Sequence, residues 1–91
     1  MASAKIRDIE TCKEAVLGIC SKYKLNVLDI TSREVQLNDL YKQYWIDIST
    51  DCEDDDIYDK VYTRCGFLSD ERLPDTYLIV NLNEVNIKWT S

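Results

Sequence analysis

The sequence predicts a small single α+β domain: about three helices packed on a small antiparallel or mixed sheet that ends in a C-terminal β-hairpin. Three observations carry that expectation. Apolar residues recur at three- and four-residue steps near the N-terminus and again after residue 56, which is helical spacing. After residue 76 they alternate every second residue, which is strand spacing. The 91 residues are 45% apolar, with two Trp, six Tyr and one Phe but only two Gly and one Pro. That suffices for one core and leaves little linker, so residues 1–91 read as one acidic domain without internal repeats.

The first helix is expected over 4–24. Ile6, Ile9, Cys12, Val16, Ile19, Cys20 and Tyr23 form one apolar stripe. Ser3 is the candidate N-cap, and Lys22 and Lys24 suit the negative end of the helix dipole. Gly18 in its interior suggests either close approach of another backbone or a tolerated solvent-facing position. The short β-branched run 25–30 predicts a strand. Thr31 and Glu34 then have the spacing of a capping box, and Leu37, Leu40, Tyr41, Tyr44, Trp45 and Ile48 step helically behind it. This favours a helix over 32–46. The rival is a hairpin of 33–37 with 40–49 turning at Asn38-Asp39, because Tyr44, Ile46 and Ile48 also alternate.

An acidic loop, 51–56, follows. Ile57, Tyr58, Val61, Tyr62 and Cys65 predict a helix over 55–65, with Asp54, Asp55 and Asp56 at its positive end and Gly66 as its stop. Residues 67–75 read as a loop around Pro74. Leu78, Val80 and Leu82 keep one alternating phase and Val85, Ile87 and Trp89 another. The break at Asn83-Glu84 predicts a hairpin of 76–82 with 85–90, or else one long bulged strand. Trp45, Trp89 and Phe67 are expected in or at the edge of the core.

Charge is the main functional clue. Residues 1–46 carry seven Lys/Arg against six Asp/Glu, and residues 47–91 carry four against eleven, so the halves stand at +1 and −7. Seven acids fall within thirteen residues: Asp47, Asp51, Glu53, Asp54, Asp55, Asp56 and Asp59. Such a field repels nucleic acid and anionic membranes and attracts basic protein surfaces. The interleaved Tyr58 and Tyr62 are side chains of the type that anchor protein interfaces. Carboxylates around aromatic faces can also imitate phosphates beside stacked bases. The plain alternative is a solvated loop whose acids cap a helix and keep the chain soluble.

Other chemistry is poorly supported. Asp47, Asp51, Glu53, Asp55 and Asp59 could offer oxygens to calcium, but the EF-hand order fails. The place of its glycine is taken by Cys52 and that of its glutamate by Tyr58. Only weak divalent-ion binding is expected. The chain has no His, which removes Ser-His and Cys-His arrangements and the usual mixed zinc site. No pair among Cys12, Cys20, Cys52 and Cys65 has zinc-knuckle spacing. Cys12 and Cys20 lie roughly 12 Å apart along a helix, beyond the ~7 Å that a disulfide spans, so free thiols are expected. Cys65 and Arg72 frame no glycine-rich phosphate cradle, and clustered Asp on a loop lacks the pocket a glycosidase pair needs. The bases of the first helix (Lys5, Arg7, Lys13, Lys22, Lys24) alternate with Asp8, Glu10 and Glu14, which disfavours direct DNA or RNA binding. Thr50, three residues before Glu53, has the spacing of an acid-directed kinase site. No apolar run reaches bilayer length and no signal-peptide pattern opens the chain, so the cytoplasm is the expected compartment.

The function expected from the residues is therefore non-enzymatic, without catalytic, cofactor-binding or metal-ligating residues. The chain reads as an acidic protein-binding module, an inhibitor of the immunity or counter-defence type that blocks a basic nucleic-acid-handling protein. Its partner surface would comprise Asp47, Asp51, Glu53, Asp54, Asp55, Asp56, Tyr58, Asp59 and Tyr62. The alternative is an assembly subunit that self-associates through its sheet as a homodimer, with the acids serving solubility.

Overall fold

The computed structural model describes residues 5–85. They form α1 (Ile9–Lys22), β1 (Val27–Gln36), β2 (Lys42–Thr50), α2 (Asp55–Arg72) and β3 (Thr76–Glu84). The class is α+β as expected, but two helices stand among the described residues where three were predicted. The sheet is mixed, in the order β1-β2-β3: β1 runs antiparallel to β2, and β3 runs parallel to it across the α2 connection.

α1 begins later than its apolar stripe suggests. Asp8, not Ser3, is the N-cap, and its carboxylate accepts from the Thr11 N–H at 2.8 Å and the Thr11 hydroxyl at 3.0 Å. Ile6 lies outside the helix, donates its N–H to the Arg72 carbonyl at 2.8 Å, and is buried. Ser3 lies outside the described residues. At the other end Lys24 is left-handed, with φ 61°. The Leu25 N–H reaches the Cys20 carbonyl at 2.8 Å and the Lys24 N–H reaches Ser21 at 3.1 Å, which together make a Schellman cap. Gly18 faces open space, with no atom within 4 Å of a would-be Cβ.

The helix expected over 32–46 is corrected to a hairpin, the rival reading. Period two wins because Tyr44, Ile46, Ile48 and Thr50 all point to the helices and are fully buried. A helix would have placed Leu37, Leu40 and Tyr41 in the core; instead they sit exposed at the hairpin tip. Asn38 makes that tip. Its side-chain oxygen accepts from the Leu40 and Tyr41 N–H groups at 2.8 and 2.9 Å, an Asx-type turn that competes with helix. Thr31 and Glu34 lie mid-strand, opposite Asp47 and Tyr44, and cap nothing.

α2 does not stop at Gly66, and the expected loop 67–75 shrinks accordingly. Gly66 keeps an ordinary helical φ, and the stripe Val61, Cys65, Leu68 continues onto the sheet with Leu73 just beyond. Burying another leucine outweighs the ~1 kcal/mol that a mid-helix glycine costs. Pro74 follows the C-cap Leu73, where it cannot continue the helix.

The turn expected at Asn83-Glu84 is also corrected. β3 runs straight through Glu84, and the Val85 N–H still donates to the Thr50 carbonyl at 2.7 Å. The return strand expected over 85–90, with Ile87 and Trp89, otherwise lies outside the described residues.

Both helices cover one face of the sheet. Cys12, Val16 and Cys20 of α1 and Val61, Cys65 and Leu68 of α2 close over Tyr44, Ile46 and Ile48. Among the described residues the buried Tyr44 hydroxyl has no hydrogen-bond partner, and the Lys42 ammonium stands 5.1 Å from its ring centre. Among the described residues nothing covers the other face. There Trp45 sits half-buried beneath the Arg33 guanidinium, 5.0 Å from the ring centre, and donates to Gln43 Oε1 at 3.0 Å. Phe67, expected near the core, is exposed on α2.

Candidate functional site

The acidic stretch forms the connection from β2 into α2, and local chemistry dictates its shape. Thr50 is fully buried, and its hydroxyl accepts from the Cys52 N–H at 3.1 Å, turning the chain off the strand. That burial also closes Thr50 to a kinase in the folded state. Asp51 is held from the side by the Asn26 amide, 3.2 and 3.3 Å from its two oxygens. Asp54 is the N-cap of α2, its carboxylate accepting from the Asp56 N–H at 3.0 Å. Asp55 and Asp56 occupy the first turn, where negative charge complements the helix dipole. The Tyr58 hydroxyl donates to the Cys52 carbonyl and closes the connection onto α2. Backbone and side-chain bonds therefore tie this short segment on both sides.

Six of the seven acids gather at this end of the sheet. Asp47 does not: it points to the uncovered face, where the Asn81 amide donates to it at 2.8 Å. Among the described residues the ion pair Lys13–Glu10 lies on α1, and none joins the acidic stretch. Its carboxylates thus make no ion pair within the described fold. Nor do three or more His, Cys, Asp or Glu side chains converge on a possible metal position among those residues.

The tyrosines are less free than anchors need to be. Tyr58 is half-buried, and burial, followed by the nearby Glu84 carboxylate, pushes its hydroxyl pKa up. The Tyr62 hydroxyl accepts the Leu82 N–H of β3 at 2.9 Å, although 42% of the residue remains exposed. Two aromatics that the sequence did not associate with the acids stand beside them. Tyr23, at the end of α1, and Phe67 share a shallow groove of about 300 Å³ with Asp56, Asp59, Lys60 and Arg64. Phe67 is half exposed. It lies eleven residues after Asp56, three helical turns, so the pair was legible only if α2 passed Gly66. Chemically the groove joins carboxylates to aromatic faces, a setting for guanidinium or ammonium groups, although Lys60 and Arg64 already line it.

The cysteines take no part. Cys12, Cys20, Cys52 and Cys65 are free thiols. Burial raises Cys12 and Cys20 to about 11 and Cys65 to about 12, so these three remain protonated and unreactive near neutrality.

Comparison with protein-family models, with curated proteins and with solved structures finds no match to this chain. Among the described residues no helix is long and apolar enough to cross a membrane.

Proposed function

We propose that the chain is a non-enzymatic acidic binding module, an inhibitor of the immunity or counter-defence type that occludes a basic, nucleic-acid-handling protein such as a nuclease. The observation that carries this reading is the tethering of the acidic connection by Asn26, Thr50, Tyr58 and the Asp54 cap. Carboxylates held in this way present a shaped surface, which a floppy tail does not. Asp51, Glu53, Asp54, Asp55, Asp56 and Asp59 steer and orient the partner's Lys and Arg side chains, while Phe67 and Tyr23 supply apolar area beside them. Blockade is steric and electrostatic and needs no chemistry. The partner is protein, not nucleic acid or membrane, and the chain acts in the cytoplasm, where free thiols persist.

The test is capture of a basic protein from the source cells at low salt, followed by an assay of that protein's nucleic-acid binding with and without the chain. Replacing Asp55, Asp56 and Asp59 by Asn should abolish both capture and inhibition. Unchanged binding of that variant at low and at moderate salt refutes the reading.

A second reading draws on the uncovered sheet face, where Trp45 and Ile79 are half-buried and Tyr77 is 54% exposed. Homodimerisation through that face would make the chain an assembly subunit. Light scattering separates the two: a dimer at every concentration favours assembly, and a strict monomer opposes it.

A further inference from the structure

Among the described residues β3 is an edge of the sheet, and Thr76–Asn83 are eight successive residues without a charge. The Lys42 N–H donates to the Asp75 carbonyl at 3.2 Å and the Val85 N–H to Thr50 at 2.7 Å. In a parallel ladder of this register, odd-numbered residues of β3 face β2, so Leu78, Val80 and Leu82 turn their N–H and C=O groups outward. Tyr62 takes the Leu82 N–H. Among the described residues, nothing takes those of Leu78 and Val80. The opposite edge is managed differently. β1 carries Asp29, Arg33 and Glu34, has a register break between Val27 and Asp29, and its Ile30 N–H is bonded to the Asp29 carboxylate at 2.9 Å. Charges and bulges of that kind are how folds blunt an edge. Among the described residues, β3 has only the Tyr62 hydroxyl.

Beside the open edge lies a groove of about 290 Å³ lined by Tyr62, Cys65, Gly66, Leu78, Ile79 and Val80. Gly66 shapes it, since a Cβ there would meet nothing within 4 Å. Asp55, Asp59, Tyr62 and Gly66 recur at four-, three- and four-residue steps along α2 and so share one face of that helix. At the same end Glu84 closes β3 and, like Asp55, lies near enough to raise the Tyr58 hydroxyl. An apolar backbone edge therefore runs into an acidic corner.

We propose that the outer edge of β3 is a docking strip for an extended strand of the basic partner. That strand adds as a fourth beside Leu78 and Val80, seats an apolar side chain over Gly66 and sets its basic side chains against Asp55, Asp59 and Glu84. Main-chain bonds supply register and the charges select the partner, as in strand-addition recognition generally. The assignment rests on the reading that the partner is basic, and it names the mode of contact.

The probe is a capped nine-residue peptide, Val-Thr-Val-Thr-Lys-Thr-Lys-Thr-Lys, whose valines and lysines share one strand face; it is compared with its counterpart carrying glutamate for lysine, against ¹⁵N-labelled protein. The lysine peptide should bind, shift the Leu78 and Val80 amide resonances and slow their exchange, while the glutamate peptide should not. Gly66→Leu suits both the helix and the open space, so it should fold; it should lower peptide affinity by at least about tenfold, because the apolar seat is filled. Asp55→Asn with Asp59→Asn should weaken binding most at low salt. Shifts confined to residues 51–56 and indifferent to Gly66→Leu overturn strand addition while leaving the acidic-module reading intact. Equal binding of both peptides at the edge overturns the basic partner and this assignment together. Failure of the lysine peptide to bind, or a homodimer already paired through β3, also overturns it.

Discussion

Tyr58→Phe isolates the bond that closes the acidic connection. The change removes one hydroxyl from a half-buried ring and leaves the ring itself to pack against the core. Lost with it is the bond to the Cys52 carbonyl. A neutral hydrogen bond of this type contributes about 0.5–1.5 kcal/mol net, and a partly buried carbonyl left without a partner adds up to about 1 kcal/mol. The expected cost is therefore about 1–2 kcal/mol. In a domain of this size each kcal/mol lowers Tm by about 4–8 °C, so a fall of roughly 5–15 °C should appear in calorimetry or in urea titration followed by circular dichroism. The slope of the urea transition should not change, because the folded area is the same. A loss below about 0.3 kcal/mol would mean that the hydroxyl does not tether the segment, and the argument for a shaped acidic surface would fail with it.

Further expectations concern the rest of the fold. Lys24→Gly relieves a left-handed lysine in the α1 cap and should stabilise the domain by roughly 0.5–1 kcal/mol in the same urea experiment. Of the four thiols only Cys52 is not buried, so a thiol-specific dye should label one cysteine in the native protein and all four after unfolding. Two hydrogen bonds from Thr11 hold the Asp8 carboxyl below its ordinary value. A depressed carboxyl stabilises the fold fully above its unfolded pKa and ceases to do so as pH falls through the folded one. Acid should therefore fray α1 below about pH 4, and Asp8→Ala should remove that part of the pH dependence.

What was legible in the sequence followed from how far each local pattern matched its tertiary setting. The α1 stripe and the alternation of Leu78, Val80 and Leu82 point the same way locally and globally, and both elements form. Residues 37–48 satisfy two periods at once, and a decisive side chain, Asn38, reveals its turn only through bonds to Leu40 and Tyr41. Gly66 reads as a stop, yet Leu68 and Leu73 gain enough burial to carry α2 past it. The same error hid Phe67 from the acidic groove, since its alignment with Asp56 exists only on the longer helix. The parallel placement of β3 was unreadable because it depends on α2 crossing the sheet, a non-local fact. The acids themselves were plain, but their latches were not: Asn26 lies twenty-five residues from Asp51 and Tyr62 twenty from Leu82.

Amide hydrogen exchange across residues 50–58 tests the fixed acidic surface most directly. The Cys52, Asp56, Ile57 and Tyr58 amides each donate to an acceptor in this segment and should exchange far more slowly than an unstructured peptide of the same sequence. Exchange at the unstructured rate from Cys52 through Asp56 would contradict the proposal that these carboxylates form a shaped face for a basic partner.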